Sequence, residues 1–96
     1  MAVVRIHRYS VDAADLDELI ARRATLITTV RAAYPGLAET QLTRWQDGTY
    51  SDAWRWDSAE QMRAALAVVP TLPQAGAALS LTRDRIVEDG EIVDER

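Results

Sequence analysis

Apolar and polar residues alternate through AVVRIHRYSV, residues 2–11, and the frequent β-branched residues there predict a first strand. Val4, Ile6 and Arg8 point to one side of it, and Arg5, His7 and Tyr9 to the other. Asp12 is the predicted N-cap of a helix of about six turns, since no Pro or Gly interrupts the chain before Pro35-Gly36. Asp15, Asp17 and Glu18 place negative charge at the positive end of its dipole. Leu16, Leu19, Ile20, Leu26, Ile27, Val30 and Tyr34 form its apolar stripe. Residues 38–46 and 49–56 read as two strands joined across Asp47-Gly48, a strong hairpin signal. Asp57, with Glu60 three residues on, predicts a capped second helix whose stripe is Met62, Ala65, Leu66 and Val69 and which Pro70 ends. Pro73 opens a short helical turn, PQAGAAL, followed by a last strand within 81–88 and an Asp89-Gly90 turn into the tail.

Strand, helix, strand, strand, helix, strand is the split βαβ, ferredoxin-like order of an α+β fold. It places two main helices on one face of a four-stranded antiparallel sheet. The other face is left bare, with Val, Ile, Leu and Ala expected there, so the chain is predicted to form a homodimer. At 96 residues, positions 1–96 are expected to be one domain.

Composition narrows the function. With 48% apolar and 27% charged residues the chain has globular character, and no apolar run nears the roughly twenty residues of a membrane span. Arg5 and Arg8 interrupt the apolar start, which does not resemble a secretory leader, so a cytoplasmic location is expected. The net charge is −4 and all 11 basic residues are scattered arginines, which argues against nucleic acid as a partner. Lys, Asn and Phe are missing and Ala is abundant, a bias of GC-rich bacterial genomes. Without cysteine there is no thiolate chemistry, and with His7 as the sole histidine there is no multi-histidine metal site. No phosphate-binding glycine loop is present, and neither a metal nor a cofactor is expected.

Two clusters could carry chemistry. Arg23 falls near the centre of the first helix's apolar stripe and is aimed at the sheet, either as half of an internal ion pair or as a cation lining a pocket for an enolate, phenolate or carboxylate. Asp52, Trp54 and Trp56 share one strand face, with Tyr50 in the same alternation, as core or as the wall of a cleft. His7 is the one side chain whose unperturbed pKa lies near neutrality, which makes it the candidate general base, although a strand histidine is also commonly structural. Whether His7 or Val4 and Ile6 face the helices is open at this level.

The string DGTYSDAWRWDSAEQMRAAL, after a long helix ending YPGL, resembles the antibiotic biosynthesis monooxygenase family of dimeric α+β barrels. The resemblance rests on Pro-Gly after the first helix, the Asp-Gly hairpin and Trp-x-Ser before the second helix, and it spans about residues 2–70. It implies homodimers with a pocket in each subunit between helices and sheet. Some members oxidise aromatic polyketides with dioxygen and neither metal nor flavin; others degrade haem or oxidise quinol-type substrates. Trp56 matches the family's pocket tryptophan. The polyketide oxygenases carry Asn and Tyr where this chain has Asp52 and Met62. The haem-degrading branch carries a strand-one Asn, near which His7 stands, and a second-helix His that is absent here. The resulting expectation is a cofactor-free oxygenase for an aromatic or polyketide-like small molecule. His7 or Asp52 would take a proton, Arg23 would hold the anion, and Trp54, Trp56, Met62, Tyr9 and Tyr34 would line the pocket. The competing expectation is a non-catalytic dimeric ligand-binding or housekeeping protein with an internal Arg23–Asp52 pair. An open cavity beside Trp56 favours the former; a pocket filled by Met62 and Tyr34 favours the latter.

Overall fold

In the computed structural model, which describes all residues from Met1 to Arg96, the first alternating segment forms β1 (Val3–Val11). A single 3₁₀ turn, Ala13–Asp15, leads into α1 (Leu16–Ala33), about five turns long. The hairpin strands are β2 (Leu37–Arg44) and β3 (Tyr50–Trp56). Then come α2 (Ala59–Leu66), a 3₁₀ turn Val69–Thr71, α3 (Pro73–Leu79) and β4 (Thr82–Glu91). All strand pairs are antiparallel in the order β2-β3-β1-β4, the ferredoxin-like arrangement. No helix is long and apolar enough to cross a membrane.

Several local expectations are corrected. Asp12 does not cap α1: its carboxylate accepts from Arg83 Nη1 at 2.6 Å and makes no cap bond. Asp57 does not cap α2 either. Its N–H is still bonded to the Gly36 carbonyl at 2.9 Å, so the chain stays extended for one more residue, and the Ser58 hydroxyl accepts from the Gln61 N–H. A side chain at Gly36 would run into that of Gln61, which explains the glycine at this close crossing. In the hairpin only Gly48 has a positive φ, 85°, so the turn is not the two-residue primed type; it spans the Trp45–Thr49 backbone pair, with Asp47 Oδ1 accepting from the Thr49 N–H. Asp89-Gly90 is no turn. Both residues pair within β4, opposite Arg5 and Val4, and the strand runs to Glu91.

The core lies between the sheet and the helices, with Trp56, Leu37 and Val30 the largest fully buried side chains. Ile20, placed on the α1 stripe from sequence, is instead 47% exposed. The bare face of the sheet is less apolar than expected. Antiparallel partners share a face, and Val4, Ile6, Ala53 and Ile86 are there interleaved with Arg8, Glu39, Gln41, Arg55 and Glu88. Trp45 reaches the same face and donates to Ser51 Oγ at 3.0 Å.

Candidate active site

The alternation of β1 and β3 aims two rows of side chains at the helix layer: Arg5, His7 and Tyr9 from one, Asp52, Trp54 and Trp56 from the other. The structure thus places His7 on the helix side of the sheet. These six residues line a cavity of about 130 Å³. Leu19, Arg23 and Leu26 of α1 form its roof, and Leu66, Val69 and Pro70 with Ala75, Ala78 and Leu79 of α3 form its apolar far wall. The cavity is close in size to the void of about 150 Å³ that holds a benzene ring, and it is open to solvent on one side.

Asp52 organises the polar side. It is 8% exposed. Arg23 Nε donates to both of its oxygens at 3.0 Å, Trp54 Nε1 to Oδ1 at 2.9 Å and Tyr9 Oη to Oδ2 at 3.1 Å. The pair is well shielded, with side-chain exposures of 15% for Arg23 and 12% for Asp52. Four contacts from three donors account for most of the carboxylate's acceptor capacity. Burial, together with the adjacent Asp52 charge, pushes the Tyr9 phenol well above its ordinary pKa and keeps it a donor. His7 is shifted the other way: burial first, and the Arg5 charge second, lower its pKa from the usual 6.5, while Asp52 and Asp89 oppose them. At neutral pH its imidazole is therefore uncharged and can accept a proton.

Three of the cavity-lining residues carry a buried N–H with no acceptor: Arg5 Nε, Arg23 Nη2 and Trp56 Nε1. Leaving such a group unsatisfied costs about 1–3 kcal/mol, and because all three are sealed from solvent, a ligand oxygen reaches them only if the side chains around them shift.

Met62 and Tyr34 are absent from the lining. Met62 sits a full turn before Leu66, the α2 residue that reaches the cavity, and is buried in the core instead. Tyr34 follows α1 about 12 Å along the helix from Leu26. Arg5 and Thr82 were missed from sequence, as were the α3 alanines. Arg5 shares the alternation of His7 and Tyr9 and was legible; nothing about Ala75 or Ala78 signals a pocket.

No protein-family model matches the chain, and no curated protein sequence does. Solved structures do match over nearly the full length. SnoaB, a cofactor-independent oxygenase from Streptomyces nogalater, is 24% identical with a TM-score of 0.73, covering 98% of this chain and 95% of its own. The chain has the antibiotic biosynthesis monooxygenase fold. A Caulobacter crescentus protein assigned to that class aligns with a TM-score of 0.78 at 19% identity, over 97% of this chain and 91% of its own. The haem degrader MhuD from Mycobacterium tuberculosis, solved with two haems in its active site, is 24% identical with a TM-score of 0.72 and 98% coverage of both chains. At these identities the likeness is one of fold.

Proposed function

We propose that the protein is a cofactor-independent oxygenase acting on an aromatic, polyketide-like small molecule. The observation that carries this reading is the cavity beside Trp56, which Met62 and Tyr34 leave open. A purely structural Arg23–Asp52 pair needs no such space. SnoaB, described as a cofactor-independent oxygenase, shares the fold and lends support.

Neutral His7 removes the acidic proton of an activated CH₂ group conjugated to a ring carbonyl. The charge of the Arg23 guanidinium stabilises the enolate oxygen that develops, and the walls of Trp54 and Trp56 hold the ring. The carbanion passes one electron to dioxygen, and the radical pair collapses to a C–O bond. The proton held by His7 goes to the peroxide, and loss of water leaves a carbonyl. One CH₂ and one O₂ thus become one C=O and one H₂O. Asp52 takes no proton in this scheme; it is a positioning residue that binds Arg23 Nε and holds the guanidinium against the cavity. Oxygen uptake with the anthrone dithranol, and formation of its quinone, test the reaction. A purified protein that consumes no oxygen with hydroxyanthrones, while binding them in the cavity, would sink it and favour the ligand-binding reading.

The enzyme acts as a homodimer of single-domain chains in the bacterial cytoplasm. Support for the dimer comes from Val4, Ile6, Ala53 and Ile86 on the bare sheet face, where Ile86 is 60% exposed. Sedimentation at micromolar concentration checks it, and a stable monomer is the contrary result.

A further inference from the structure

The cavity and the substrate class proposed for it differ in size. A void of about 150 Å³ holds one benzene ring, and this cavity measures about 130 Å³, whereas a polyketide-derived aromatic carries several fused rings. Most of the walls are stiff, for β1 and β3 are the two inner strands of the sheet and α1 is 18 residues long. The far wall is not. α3 has seven residues, a glycine at Gly76 in its interior and no side-chain bond at its N-cap. So short a helix depends on tertiary packing. Yet Ala75 and Ala78, the buried side chains it turns to the cavity, are one carbon deep with space beneath them, and atoms lining a void lose contacts on that side.

What holds α3 lies at its C-terminus. Arg22 of α1, braced by Glu18 at 2.8 Å, donates through Nη1 to the Ala77 carbonyl at 2.9 Å. Arg85 Nη1 donates to the Leu79 carbonyl at 3.1 Å and to the Thr82 carbonyl at 3.0 Å. Asp84, at φ 55°, and Arg85 occupy the break in the β1–β4 register between Arg83 and Ile86, and the irregular backbone there turns the guanidinium back onto the helix end. Two cations thus sit at the negative end of the helix dipole.

We propose that α3 is the yielding wall of this cavity: its loosening widens the site for a fused aromatic ligand, and Arg22 and Arg85 set how readily it loosens. The inference rests on the oxygenase reading for the size of its ligand. A ligand that needs the widened form binds with an apparent affinity scaled by the fraction of molecules in that form. A single ring fits the cavity as it stands and does not sense that fraction.

Two substitutions move that fraction in opposite directions without touching the cavity. A side chain at Gly76 meets nothing within 4 Å, so Gly76→Ala stiffens α3 at no steric cost. Arg85 is exposed and lines no part of the cavity, and Arg85→Gln weakens the hold on the helix end. Equilibrium dialysis against phenol and against 1,8-dihydroxyanthraquinone, which has no oxidisable CH₂, reads binding apart from turnover. Gly76→Ala is expected to weaken quinone binding about fivefold, Arg85→Gln to strengthen it about threefold, and neither to change phenol binding. Amide exchange in α3 should slow in the first variant and quicken in the second, with α1 unchanged. Equal changes for the two probes, changes of the same sign in the two variants, no change in either, or no binding of the quinone overturns the proposal. Quinone binding that follows both variants without oxygen uptake on dithranol refutes the oxygenase and keeps the yielding wall; oxygen uptake with quinone binding indifferent to both variants does the reverse.

Discussion

Two arginine–carboxylate pairs in this molecule have nearly the same local chemistry and different consequences. Arg55 grips Glu95 at 2.6 and 2.8 Å and fastens the tail to the bare face of the sheet. Arg23 grips Asp52 at 3.0 Å beneath α1. The first pair is the shorter, yet Glu95 is 46% exposed, so water and salt compete for both partners. The second is shut away from water and shares its carboxylate with Tyr9 and Trp54, so neither partner can lose the other without leaving a buried charge uncompensated. Bond length does not rank these pairs; solvent access does. The buried pair can hold a donor in place for chemistry, and the exposed one only restrains a chain end.

The largest effect expected from this contrast is at Arg23. Arg23→Ala should cost about 3 kcal/mol in a urea melt, because Asp52 then keeps its burial and loses its cation. The double change Arg23→Met with Asp52→Leu should recover most of that loss, and simple additivity of the two single losses would break the comparison. Tyr9→Phe removes one of the donors to Asp52 and should cost about 1 kcal/mol, with a fall in turnover if Asp52 positions Arg23.

The pH dependence sharpens the picture at His7. Because its folded pKa lies below 6.5, the unfolded chain takes up a proton first as the pH falls. Its contribution to stability is complete above 6.5 and is lost as the pH drops from there through the folded pKa. Turnover should rise with pH through that same depressed value, and His7→Gln should flatten both profiles; an activity profile unchanged by the substitution would remove His7 from the mechanism. At the bottom of the scale, Glu95→Gln should leave the melting curve unchanged within error, and a clear shift there would mean that solvent access is not what separates the two pairs.

Much of the architecture was legible because strand alternation and helix periodicity are local. The split βαβ order, the helix spanned by Leu16–Ala33 and the shared face of Asp52, Trp54 and Trp56 all follow from spacing along the chain. The errors fell where a local signal competed with a distant partner. Asp12 has the chemistry of a cap, but Arg83 lies 71 residues away in sequence and claims its carboxylate. Asp89-Gly90 has the chemistry of a turn, but β1 offers Arg5 and Val4 as pairing partners and the strand continues. Met62 on α2 and Tyr34 just beyond the end of α1 continue the apolar stripes of those helices, yet their distance along the chain keeps them from the cavity.

By itself, then, the sequence determined which residues travel together: His7 with Arg5 and Tyr9, and Asp52 with two indoles, since a period of two leaves no other choice. It could not determine which side of the sheet the helices cover, because both faces of β1 carry apolar and charged residues. Nor could it say whether Asp52 is a base or an anchor. Tertiary packing decided the first, laying the helices over the His7 face, and it brings three donors from β1, α1 and β3 onto the Asp52 carboxylate, a matter of position in space that no spacing along the chain encodes.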